Sequence, residues 1–134
     1  MLRRDYLLKM LQELTAALAR MLHDDERTLT ERQKELMALY RMLGRDAEYF
    51  RSSTTDEILA ELASQGDDGY LQRIEMAAEL LYADSHLFVG SHNLLTDIRR
   101  RALDLYEYLD QRSDDFSLTR TQRIEELRRS LATD

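Results

Sequence analysis

The chain has 134 residues, enough for one domain with a core of its own, and a formal net charge of −7. It contains no cysteine, which excludes disulfides and thiolate metal sites, and its apolar runs are far too short to span a membrane. With no proline, four glycines and a dominance of Leu, Ala, Glu, Arg and Asp, the composition is that of helices joined by short polar connections.

The first predicted helix covers about residues 4–23. Leu7, Leu11, Leu14, Leu18 and Met21 recur at spacings of four, three, four and three, giving one broad apolar face. Asp5, Lys9, Gln12 and Glu13 interrupt that segment at helical intervals, so it holds no continuous targeting stretch and a cytoplasmic location is expected. The stripe is too short for a sustained heptad pattern, so packing within the chain is favoured over a homodimer through Leu7, Leu11, Leu14 and Leu18. The run His23-Asp24-Asp25-Glu26 should end this helix.

Thr30-Glu31-Arg32-Gln33 reads as a capping box that opens a second helix, with Leu36, Met37, Leu39, Tyr40 and Leu43 inward and Gly44 just past its end. A short turn is expected at 46–50. Ser52-Ser53-Thr54-Thr55 offers caps for a third helix that buries Ile58, Leu59, Leu62 and Ala63, and Gly66-Asp67-Asp68-Gly69 closes it.

Tyr70 to Leu109 reads as two long helices meeting around Gly90. The first turns Leu71, Ile74, Ala77, Ala78, Leu81 and Tyr82 inward; the second turns Leu94, Leu95, Ile98, Ala102, Leu105, Tyr106 and Leu109 inward. After Ser113-Asp114-Asp115, a second capping box at Thr119-Arg120-Thr121-Gln122 opens a last helix with Ile124, Leu127 and Leu131. Phe116 and Leu118 are placed to act as a hydrophobic staple on it.

The expected fold is therefore all-α: a single domain over 1–134, with five to seven helices in antiparallel hairpins stacked in a tetratricopeptide-like manner. Aligning Gly90 with the glycine between that repeat's helices puts Ala102-Leu103-Asp104-Leu105 on its closing run and Ala83 on a small-residue position. Glu79, Leu95 and Arg99 depart from it, leaving one degenerate unit.

RDYLLKMLQELTAALARML, LMALYRMLGRDAEYFRSSTTDEILAEL, IEMAAELLYADSHLF, ALDLYEYLDQ and FSLTRTQRIEEL follow one another along nearly the whole chain. This succession resembles a group of small uncharacterised bacterial proteins with degenerate tetratricopeptide-like helices, a domain of unknown function. The chain departs from that group at Asp25-Glu26-Arg27-Thr28-Leu29 and at Asp84-Ser85-His86. The resemblance implies the fold and carries no activity.

No catalytic constellation stands out. His86 and His92 flank the Gly90 turn with Asp84 and Asp97 nearby in sequence, so a metal-dependent or other hydrolase is the alternative function. Their spacing is not the i, i+4 arrangement that puts two ligands on one helical face, and solvated turn residues are the simpler expectation. Neither a metal nor a cofactor is expected. Nine acids against Arg51 and Arg73 give residues 51–98 the whole net charge of −7, which disfavours nucleic acid. Arg99-Arg100-Arg101 fans around its helix, and its arginines are expected to pair with acids across the hairpin.

The leading function is a small protein–protein interaction scaffold or adaptor, not an enzyme. Candidate partner-binding residues are Tyr70 and Tyr108, aromatic anchors near helix ends, with Glu75, Glu79 and Arg99 supplying charge on the central hairpin.

Overall fold

A computed structural model describes residues 3–23 and 26–133. Among these residues there are seven helices and no strands: α1 (Arg3–His23), α2 (Leu29–Arg41), α3 (Ala47–Ser52), α4 (Thr55–Ala63), α5 (Tyr70–Leu87), α6 (His92–Arg112) and α7 (Leu118–Ala132). Asp24 and Asp25, expected to end the first helix, lie outside the described residues.

Side-chain oxygens start most of these helices by accepting a free backbone N–H in the first turn. Thr54 and Glu57 form a reciprocal capping box on α4, Ser91 accepts from Leu94 on α6, and Asp46 accepts from Tyr49 on α3. The expected turn at 46–50 is thus the start of a six-residue helix.

Two predicted caps shift by two residues. α2 is capped by Thr28, which accepts from Glu31, and α7 by Ser117, which accepts from Arg120. Thr28-Leu29-Thr30-Glu31 is itself a Thr-x-x-Glu pattern, so two overlapping boxes compete, and the earlier one adds helical hydrogen bonds such as Arg32 N–H to Thr28 O.

The staple fails for a related reason. With Ser117 as cap, Phe116 would have to meet Thr121, a polar residue whose hydroxyl is bonded to Ser117 O. Phe116 is 81% exposed and Leu118 61% exposed.

α5 is the helix that the others share. Twelve of its eighteen residues are buried, three of them charged, and it packs on α1, α2, α3, α4 and α6. Ala77, Ala78 and Ala83 keep it slim enough for several neighbours. Tyr70 meets Tyr108, so α5 and α6 form an antiparallel hairpin. α2 returns against α5, with Tyr40 on Asp84 and Gln33 donating to Leu87 O. Gly69 adopts φ +84°, and a Cβ there would overlap Leu7, which fixes the start of α5 against the start of α1.

Arg73 is only 2% exposed. It spends its guanidinium on the carbonyls of Leu62, Gly66 and Asp68, closing the end of α4 and the loop beyond it. Leu7, Leu14 and Leu18 are buried in the chain's own core, and Leu11 is half-buried against it. A homodimer through these four leucines would therefore have to pull α1 off α5, and packing within the chain takes them instead.

Candidate interaction groove

α1 packs on α5 and α7 packs on α6, and among the described residues α1 and α7 do not pack closely on each other. Both run in the direction of α5. Leu7 lies by Gly69 while Leu22 and His23 share a cleft with Tyr82 and His86; Arg123 meets Glu79 while Glu126 meets Tyr82. A strip of α5 lies between the two flanking helices, open at Gln72, Glu75 and His86 and closed over Glu79 and Tyr82, which are 6% and 9% exposed. It carries Gln72, Glu75, Glu79, Tyr82 and His86, spaced three, four, three and four, which puts them on one side of the helix. From Gln72 to His86 the strip is about 21 Å long at 1.5 Å rise per residue.

Three clefts follow this strip. The first, about 300 Å³, is lined by Leu8, Leu11, Leu71 and Leu109 together with Glu75 and Arg112. The second, about 180 Å³, lies between Thr15, Glu75, Glu79, Tyr106 and Arg120. Glu75 and Arg120 line both. The third, about 230 Å³, lies between α1, α2 and α5 and is bounded by Leu22, His23, Arg32, Tyr82, His86 and Leu87. Phe116, Leu118 and Leu8 add exposed apolar surface in and beside the α6–α7 connection and on α1.

A chain of polar contacts holds the far wall in place. Arg123 pairs with Glu79, donates to the Tyr106 hydroxyl at 3.2 Å and lies 4.3 Å above the Tyr82 ring. Tyr82 donates to Glu126 at 3.0 Å, and the other oxygen of Glu126 is 3.1 Å from His86 Nε2. Arg120 donates to Asp110 at 3.0 Å and to Asp115 O at 2.9 Å. Burial pushes the Tyr82 and Tyr106 hydroxyls up, aided at Tyr82 by its bond to Glu126, and it pulls Arg123 down against the nearby carboxylates.

Glu75 is different. No hydrogen bond or ion pair to its carboxylate occurs among the described residues. Burial raises its pKa above the ordinary 4.5, and the more distant charges of Arg120 and Arg123 offset only part of that.

The predicted partner-binding residues divide. Tyr70 and Tyr108 come together edge-on, with hydroxyls 3.2 Å apart and ring centres 6.3 Å apart, and Arg112 stacks 3.7 Å over Tyr108 at the rim of the first cleft. The Tyr70 hydroxyl is pushed up to about 12 by burial and the bond to Tyr108. Glu75 faces the groove.

Glu79 lies in the groove but is 6% exposed and consumed by Arg123. Its arginine comes from α7, where an α6 arginine was expected. Arg99 is half-buried about two turns before Tyr106 and lines none of the three clefts. Arg120 and Arg123 were not singled out by sequence reasoning. Their i, i+3 spacing, continued by Glu126, was the available sign that they share a face.

The hydrolase residues do not form a set. Asp84 is buried on Tyr40 and Arg51, His86 turns to Glu126, His92 is exposed at the start of α6, and Asp97 is exposed on it. Among the described residues, no group of three His, Cys, Asp or Glu could hold a metal ion. No helix among them is long and apolar enough to cross a membrane.

Compared with known proteins, the chain matches no family model, no curated protein and no solved structure.

Proposed function

We propose that this chain is a small protein–protein interaction module, a scaffold or adaptor built of tetratricopeptide-like hairpins and related to the bacterial group its sequence resembles. It would work in the cytoplasm and would not be an enzyme. The observation that carries the proposal is the side of α5 between α1 and α7, where clefts at Gln72 and Glu75 bring an apolar lining together with polar groups. An interface core needs apolar area that water leaves on docking, ringed by polar groups that fix register. Leu8, Leu11 and Leu71 supply the first, and Glu75, Arg112 and Arg120 the second.

Photo-crosslinking residues placed at Leu8 and Gln72, with Glu48 on α3 as the control, test the proposal in native cells. The same discrete protein adduct at the two groove positions and none at the control is the expected result. Adducts that are absent, or equal at all three, would overturn it.

A further inference from the structure

We infer that the groove takes a single helical segment of a partner protein at its first cleft, with its apolar side on Leu8, Leu11 and Leu71 and a Lys or Arg of that segment reaching Glu75. This rests on the groove being the docking surface, as proposed above, and adds the chemistry of what docks.

Several charges along the groove are already paired. Glu79 is paired with Arg123, Arg120 with Asp110, and Glu126 with His86. Arg112 lies on the Tyr108 face, and Asp114 and Asp115 stand exposed at the rim. Glu75 is a half-buried carboxylate with no such partner among the described residues. A carboxylate partly removed from water and left unpaired costs free energy, and an incoming cation recovers it.

Lys and Arg suit this place because the Leu side chains next to Glu75 can take the aliphatic stem while the head meets the carboxylate. An acidic segment would meet Glu75, Asp114 and Asp115 unfavourably.

The partner element is helical because the features it must meet lie at helical spacing. Leu8 and Leu11 are one turn apart on α1, and Leu71 and Glu75 are one turn apart on α5, on two helices running in the same direction. An amphipathic helix presents anchors at i, i+3, i+4 and i+7 along such a groove. About 14 residues give such a segment the length at which an isolated helix begins to hold together.

The test is a display library of helical peptides of about 14 residues, varied among Lys, Arg, Glu, Gln, Leu and Ala and selected against the full chain. Gln72→Trp fills the first cleft and reports whether a binder uses the groove, and circular dichroism confirms that each variant is folded. The expected winners compete with Gln72→Trp, carry a basic residue one turn from a Leu, and weaken about tenfold against Glu75→Gln. Replacing that basic residue by norleucine should cause the same loss, and the two losses should not add. Against Glu75→Lys, the library should return Glu at that position.

Groove binders with no basic preference, or binders indifferent to Glu75→Gln, would overturn the inference while leaving the interaction groove standing. A library that yields no binder, or only binders untouched by Gln72→Trp, would overturn both.

Discussion

The Tyr40 hydroxyl donates to Asp84 Oδ2 across 2.7 Å, and the same carboxylate receives Arg51 at 2.7 and 2.8 Å. One side chain of α5, 1% exposed, thereby holds α2 and α3. Asp84→Ala strands both partners in the interior and should cost about 3–5 kcal/mol. Tyr40→Phe leaves the bidentate pair intact and should cost about 1 kcal/mol. Denaturant unfolding near neutral pH measures both. Equal losses would mean that Arg51 and Asp84 are not the dominant pair.

Alkaline stability follows from the tyrosines. Burial raises Tyr40, Tyr70, Tyr82 and Tyr106 above the ordinary 10.0, with Asp84 adding at Tyr40 and Tyr70 reaching about 12. The folded state keeps protons that the unfolded state releases, so unfolding loses protons and stability falls as pH rises. The stabilisation is complete below about 10 and declines as the pH climbs from there toward the folded values. Tyrosinate absorbance should rise late, together with loss of helical circular dichroism. Ionisation of all seven tyrosines near 10 with the helices intact would contradict this.

Helix faces were legible because burial and periodicity are both local. Leu36 and Tyr40, Ile58 and Leu62, and Ile98, Ala102 and Leu105 are buried as their spacing requires. The groove was not legible, because it depends on α1 and α7 sitting apart on different neighbours. Arg123 reaches Glu79 across 44 positions of the chain, and no local pattern marks an acid as one that a distant arginine will bury. Glu79 therefore read as a surface charge. Glu75, one turn earlier on the same face, keeps some exposure to the groove, and Arg120, which lines the same cleft, is held by Asp110.

The displaced cap gives a direct comparison. Thr28 carries the bond to Glu31, while Thr30 is already helical. Thr28→Ala should lower stability by about 1 kcal/mol, and Thr30→Ala, an exposed site inside the helix, should change it by less than about 0.5 kcal/mol. Denaturant midpoints of the two variants decide the point, and the reverse order would restore Thr30 as the cap. Ser117 and Thr119 offer the same test on α7.

Glu75 should separate stability from recognition. Burial raises its pKa in the folded chain, so folding near neutral pH takes place against the cost of keeping this carboxylate ionised. For a raised carboxylate the favourable contribution exists below the unfolded pKa and is lost as pH rises through the folded one. Glu75→Gln removes the charge and keeps the shape. It should raise the denaturant midpoint near neutral pH, and the gain should fade on acidification as the native carboxyl takes up its proton. A variant destabilised at neutral pH would mean that Glu75 has an internal partner, and a gain unchanged by pH would mean that charge is not its source. Where the stabilised variant is also the one that loses basic helices, the cost of the unpaired carboxylate is tied to binding, as expected of a site held ready for a cation.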